Sequence, residues 1–187
     1  MSYEEVRRSV SSSLFSDQTT AVLGCNACFQ KQLLHSTDHW RSRIPQSLGL
    51  DVVANVGFLI ADLNGDELED LYLCQQGGLP NLLFLRQADG SFLDASEGSG
   101  VDCLNFSPSA LAIDLDKDGD RDLVVALQFE LLLMSNNGKA KFELEARLPL
   151  LAQTFSLTCA DYDLDGDLDL FACGYNPSVK DLKESGD

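Results

Sequence analysis

A nine-residue acidic loop is written three times in this chain: Asp62-Leu-Asn64-Gly-Asp66-Glu-Leu68-Glu-Asp70, Asp114-Leu-Asp116-Lys-Asp118-Gly-Asp120-Arg-Asp122 and Asp161-Tyr-Asp163-Leu-Asp165-Gly-Asp167-Leu-Asp169. Oxygens at positions 1, 3, 5 and 9 can converge on one hard cation, because Ca²⁺ takes roughly six to eight oxygen ligands in flexible geometry. Position 7 would ligate through its backbone carbonyl, so Leu68, Asp120 and Asp167 are free to differ. Up to three Ca²⁺ sites are therefore expected. Every loop feeds an apolar, β-rich run, at residues 71–74, 123–127 and 170–173. A strand, not a helix, follows each loop.

That last point excludes an EF-hand, which needs a bidentate acid at position 12 and a helix after the loop. Position 12 here is Leu73, Val125 or Ala172, and none of them can ligate. The loops begin at residues 62, 114 and 161, a spacing too long for a paired dockerin-like array. A period near 50 residues belongs to propeller blades and similar repeats. Gly119 and Gly166 hold position 6, where the chain must turn sharply, whereas loop one has Glu67 there. Loop one is accordingly expected to be the distorted or weak copy, with Asn64-Gly65 just before position 6 supplying some of the turn.

Each repeat reads as four short strands. In unit one these are 56–61, 71–74, 82–85 and 92–94, the last two joined across Ala88-Asp89-Gly90. Unit two repeats the plan at 110–113, 123–127, 131–134 and 142–145, with Asn136-Asn137-Gly138 at the outer hairpin. Asp-Gly and Asn-Gly between apolar runs favour tight hairpins, whose turns need positive φ. Unit three has strands at 154–160 and 170–173 and then a polar tail. The expected fold is all-β: a partial β-propeller of about two and a half four-stranded blades carrying Ca²⁺-binding loops. The units span about 49–101, 102–150 and 151–176, between an irregular segment 1–48 and a tail 177–187. Closed propellers typically have four to eight blades. The sequence therefore suggests a piece of a longer product, a ring completed by self-association through open blade edges, or an open array.

The pattern D-x-[DN]-x-D-G-x-x-D-L within units of about 50 residues resembles the FG-GAP or VCBS repeat of integrin α-subunit propellers and many bacterial surface proteins. The stretch 78–101, Gly-Leu-Pro-Asn-Leu-Leu-Phe-Leu-Arg-Gln-Ala-Asp-Gly-Ser-Phe-Leu-Asp-Ala-Ser-Glu-Gly-Ser-Gly-Val, is similar to a segment of bacterial proteins of the cartilage-acidic-protein-like group. The resemblance covers about residues 50–176. It implies a calcium-binding propeller that supports a protein or glycan interaction surface, without catalysis, in an exported protein. A second implied role is an accessory or catalytic propeller within a larger exported hydrolase or lyase.

Composition narrows the classes further. The formal net charge is −17, and half of the 30 acidic residues lie in the three loops. So acidic a chain, with no basic patch, is not a nucleic-acid binder. No apolar stretch reaches the roughly 18 residues a membrane span needs, and the N-terminus shows no secretory h-region. The six cysteines form no disulfide pattern. Cys74, Cys159 and Cys173 read as small buried hydrophobes beside the strands, and Cys25-Asn-Ala-Cys28 as two unpaired thiols or half of a metal or redox site. His35, His39 and Trp40 fall in the least structured segment, and both histidines are read as exposed rather than catalytic. Asn105-Phe106-Ser107 fits a glycosylation sequon, with Pro108 directly after it. No Walker loop, G-x-S-x-G or HExxH motif occurs.

Overall fold

A computed structural model describes residues 16–44 and 56–175 of the 187-residue chain. Ten strands form three antiparallel sheets, in a β-propeller-like arrangement that does not close into a ring among the described residues. Blade one is the meander β1 (Phe58–Ala61), β2 (Asp70–Leu73), β3 (Leu82–Arg86) and β4 (Phe92–Asp94). Blade two is β5 (Ser109–Ile113), β6 (Asp122–Ala126), β7 (Glu130–Asn136) and β8 (Phe142–Pro149). Blade three pairs β9 (Gln153–Ala160) with β10 (Asp169–Tyr175). Each acidic loop joins the first strand of its blade to the second, as the spacing predicts.

Packing follows from the period-2 alternation of a pleated strand. The run after loop two is apolar at every position, and β6 is buried throughout. Leu123, Val125 and Leu127 point toward blade one, where they join Tyr72, Cys74 and Leu83. Val124 and Ala126 point the other way and pack with Leu157, Cys159 and Leu170 of blade three. Blade two is thus covered on both faces, which is why its central strand has no polar side. A charged residue at Val124, wholly buried, would be left without a partner in that interface.

Segment 95–108 carries the chain from blade one to blade two, and a buried polar network fixes it. The Tyr72 hydroxyl donates to the Val101 carbonyl at 2.9 Å, and the Asn81 carboxamide donates to Tyr72 Oη at 2.8 Å and Ser107 Oγ at 2.9 Å. Burial raises the Tyr72 phenol well above its ordinary value, so it stays a neutral donor. Gly100 is required here: a Cβ would lie 2.1 Å from the Phe142 carbonyl oxygen, and its φ is +89°. Ser107 of the sequon is fully buried within this network.

Where the sequence shows no period, the described N-terminal residues form three helical turns: α1 (Thr19–Leu23), a π-type turn (Phe29–Leu33) and α2 (Thr37–Arg41). Residues 16–44 contain no strand, and the segment expected to be irregular is locally helical. These turns act as a cap. Leu23 and Phe29, with Val22, Cys28 and Leu33, cover Leu82, Phe84, Leu71, Leu73 and Phe92 on the outer face of blade one. Asn26 seals the edge strand by donating to the Phe92 carbonyl at 2.7 Å and accepting the Asp94 N–H at 2.8 Å. One side chain so occupies a donor and an acceptor that would otherwise invite another strand. The cap stops short of β1, and Phe58 and Ile60, on that same face by register, remain 67% and 57% exposed. The polar tail 177–187 lies outside the described residues.

Candidate metal centres

The three loops follow one backbone path. Positions 4 and 6 both have left-handed φ: Gly65 (76°) and Glu67 (66°), Lys117 (64°) and Gly119 (100°), Leu164 (62°) and Gly166 (94°). A residue with a Cβ pays about 1–2 kcal/mol there, and each loop places one glycine across the two positions. In loop one Gly65 at position 4 supplies part of the turn, as the Asn64-Gly65 pair suggests, while Glu67 at position 6 takes a left-handed φ without being glycine.

A repeated ladder of hydrogen bonds orients the acidic side chains. The position-3 oxygen accepts the N–H of position 5 in every loop: Asn64 from Asp66 at 3.1 Å, Asp116 from Asp118 at 3.1 Å, Asp163 from Asp165 at 3.2 Å. Position 5 accepts from position 7 in turn: Asp66 from Leu68 at 2.9 Å, Asp118 from Asp120 at 3.1 Å, Asp165 from Asp167 at 2.9 Å. Oδ2 of position 1 accepts the N–H of position 6, from Glu67, Gly119 and Gly166.

The loops part company at the other oxygen of position 1. Asp62 Oδ1 accepts from the N–H groups of Gly65 at 2.8 Å and Asp66 at 3.2 Å. Asp114 Oδ1 and Asp161 Oδ1 are buried and have no hydrogen-bond partner among the described residues. In those two loops one carboxylate oxygen each of Asp114, Asp116 and Asp122, and of Asp161, Asp163 and Asp169, lies within 4.8 Å of the others. Loop one is not among the acidic groups so assembled within the described residues. Its Asn64 amide donates to Asp66 Oδ2 at 3.0 Å, closing the loop on itself.

Position 9 has a second task that the sequence does not announce. Asp70 and Asp122 are fully buried, and each ties its loop to the third strand of the blade. Asp70 accepts from Leu63 at 3.0 Å and Arg86 at 2.9 Å, and Asp122 from Leu115 and Asn136, both at 2.7 Å. Burial pushes the Asp70 carboxyl upward, against the pull of its two N–H donors. Among the described residues Asp169 accepts only from Tyr162, at 2.9 Å. No third strand is paired with β10 among the described residues.

Of the remaining expected ligands, Asp118, Asp165, Asp120 and Asp167 lie outside the two assembled groups. The Asp120 side chain packs beside Gly138, with Oδ1 buried and unpartnered. Burial and the neighbouring Asp118 push its carboxyl up to about 6. Asp167 is engaged across the blade boundary, where Lys117 Nζ of loop two lies 2.5 Å from its carboxylate and 3.4 Å from the Gly166 carbonyl. Loop one is anchored as well: the Leu63 carbonyl accepts from Ala140 N–H at 3.0 Å and Asn136 Nδ2 at 2.8 Å. Asn136 therefore links loop one to loop two, a role invisible in its Asn-Asn-Gly turn signature.

These donor sets are all oxygen and close-packed, and each assembled group lies beside an unsatisfied buried carboxylate oxygen. That chemistry fits a hard divalent cation such as Ca²⁺. All six cysteines are free thiols, with Cys74 buried and Cys25 and Cys173 exposed, so the buried reading fails at Cys173. His35 is exposed as expected, but His39 is half-buried, its ring stacked on that of His35 with centroids 3.8 Å apart.

Antiparallel blades with a shared acidic loop between first and second strands define a propeller-type repeat protein, and the family profile of the FG-GAP-like repeat matches residues 62–125. Residues 62–125, which hold loops one and two, are thus similar to the FG-GAP-like repeat. It is 27% identical over 143 residues to cartilage acidic protein 1 of Xenopus tropicalis, an alignment taking in 70% of this chain and 21% of that protein. It is likewise 27% identical over 122 residues to human cartilage acidic protein 1, covering 62% and 18% of the two chains. The chain spans about a fifth of the length of these curated relatives.

Proposed function

We propose that the three loops bind Ca²⁺ and that this chain is a calcium-stabilised propeller segment presenting a recognition surface, in an exported protein, with no catalysis of its own. The observation that carries the reading is the pair of buried, unpartnered oxygens, Asp114 Oδ1 and Asp161 Oδ1, at the same position of two loops. An ionised oxygen buried without a donor is costly, and a cation in the loop removes that cost. Asp114, Asp116 and Asp122 would hold one ion and Asp161, Asp163 and Asp169 another. Asp62, Asn64, Asp66 and Asp70 would form the weakest site.

The FG-GAP-like repeat supports the calcium reading. The likeness to cartilage acidic protein 1 supports an exported setting. Among the described residues no helix is long and apolar enough to cross a membrane. Calorimetry on chelator-treated protein is the test. Ca²⁺ should bind with a dissociation constant around 10⁻⁴ to 10⁻³ M, as in other extracellular modules, and more tightly than Mg²⁺ or Zn²⁺. Tighter Zn²⁺ binding at the loops would contradict the proposal.

A further inference from the structure

A groove of about 140 Å³ runs between the N-terminal cap and blade one. His35, Thr37 and Trp40 line it from the cap side, and Val56, Gln75 and Gln76 from the blade. The glutamines are its unusual feature. Gln76 is only 7% exposed, yet among the described residues neither its carboxamide nor that of Gln75 has a hydrogen-bond partner. Gln75 is half-buried, and among the described residues the Gln76 amide is not one of the sealed, unpaired groups, so both carboxamides open to the groove and are free to meet groups from outside.

The chemistry of the walls specifies those groups. A carboxamide offers two donors and one acceptor, which matches hydroxyls, since each hydroxyl both donates and accepts. Trp40 supplies an apolar aromatic wall of the kind that packs on C–H faces. Its ring lies edge-to-face with His35 and His39, at centroid distances of 5.5 and 4.9 Å, so the wall is held in place. Among the described residues no carboxylate, lysine or arginine lines the groove, and a chain of net charge −17 repels anions. We propose that this groove binds a neutral, hydroxyl-rich ring, a sugar residue of a glycan. The inference deepens the recognition half of the function proposed above and rests on it; it needs no ion in the loops.

Trp40 is the chain's single tryptophan, so intrinsic fluorescence reports on this groove directly. The full chain in Ca²⁺ is titrated with an array of neutral methyl glycosides and neutral oligosaccharides, and a Ca²⁺ titration of the same preparation separates failure of the groove from failure of the loops. A saturable fluorescence change with a neutral glycan is expected. Binding should weaken at least tenfold in Gln76→Leu and in Gln75→Ala, while Ca²⁺ affinity and melting stay those of the parent. No saturable response across the neutral array would overturn the proposal. So would a response unchanged in both variants, or preferred binding of a proline-rich peptide or an acidic glycan.

Discussion

Asp122 and Asn136 are joined by the hydrogen bond that fixes loop two to its blade: Asp122 Oδ1 accepts the Asn136 N–H at 2.7 Å, while Oδ2 accepts that of Leu115 at the same distance. Removing this carboxylate leaves two N–H groups without acceptors, each costing about 1–3 kcal/mol. Asp122→Ala should therefore destabilise the metal-free protein by about 2–5 kcal/mol, and Asp169→Ala, with one such bond, by about 1 kcal/mol. Urea unfolding in excess chelator measures both. Equal losses would show that position 9 matters only as a ligand.

Loop one should gain affinity when its sequence is brought to the pattern of the others. Asn64→Asp replaces the amide that closes the loop on Asp66 with a third carboxylate for the ion. Glu67→Gly removes a left-handed non-glycine residue, with a gain of about 1 kcal/mol in the free loop. The double variant should bind Ca²⁺ at loop one with at least tenfold higher affinity. An unchanged titration would mean that the neighbouring Asn136 and Ala140 contacts, not loop chemistry, set affinity there.

Chelation should lower stability by an amount set by mass action. At about 1 mM Ca²⁺ and a dissociation constant near 0.1 mM, each site contributes about RT ln 11, roughly 1.4 kcal/mol. Three such sites give about 4 kcal/mol, a large share of the 5–15 kcal/mol typical of a domain. The melting temperature should fall by several degrees in excess EDTA. An unchanged melt would leave the loops without a stabilising ion.

The cap should report its docking through Cys28 and Asp94. Burial, then the adjoining Asp94 carboxylate, push the Cys28 thiol up to about 12, so only about one molecule in ten thousand is thiolate at pH 8. Cys28 should alkylate far more slowly than the exposed Cys25, as mass spectrometry of a timed iodoacetamide reaction would show. Burial works against ionisation of Asp94, but hydrogen bonds from Cys28 and Ser96 outweigh it and hold the carboxyl below its ordinary value of 3.8. A lowered folded value stabilises the fold above the unfolded value and loses that contribution as pH falls through the folded one. Hydrogen-exchange protection of residues 22–33 should therefore hold at pH 6 and decline below about pH 3.8. Protection unchanged at pH 3 would detach Asp94 from cap docking.

Much of the blade plan was legible because its signals are local. Apolar runs of four or five residues, bounded by Asp-Gly and Asn-Gly turns, placed the strands within a few residues. β8 runs on to Pro149, beyond the expected end at residue 145, since Glu143, Glu145 and Arg147 alternate outward on an exposed strand. The cap was not legible. Its turns are five residues each, too short for a helical period, and Leu23 and Phe29 are explained only by the face of blade one they cover. Acidic spacing marked out the loops, but not the two tasks of Asp70 and Asp122, because their N–H donors come from strands 14 to 16 residues away.

The isolated 187-residue chain should associate in solution. Phe58 and Ile60 on blade one, and Phe155 and Phe171 on blade three at 38% and 41% exposure, lie on sheet faces that no other blade covers among the described residues. Open apolar faces beside an unpaired strand favour contact between chains. Light scattering at micromolar concentration should show species larger than 20.4 kDa. Replacing Phe58 and Ile60 by Lys should shift the mass toward the monomer. A monomer before substitution would remove this surface from the account.

The most direct test of the central claim is a count of bound ions. Native mass spectrometry of the chain in millimolar Ca²⁺ should show two well-retained ions and a third that is lost first, and Asp114→Asn with Asp161→Asn should remove the two retained ones. A parent that carries no Ca²⁺, or a double variant that keeps its full complement, would contradict the assignment of Asp114 and Asp161 as calcium ligands.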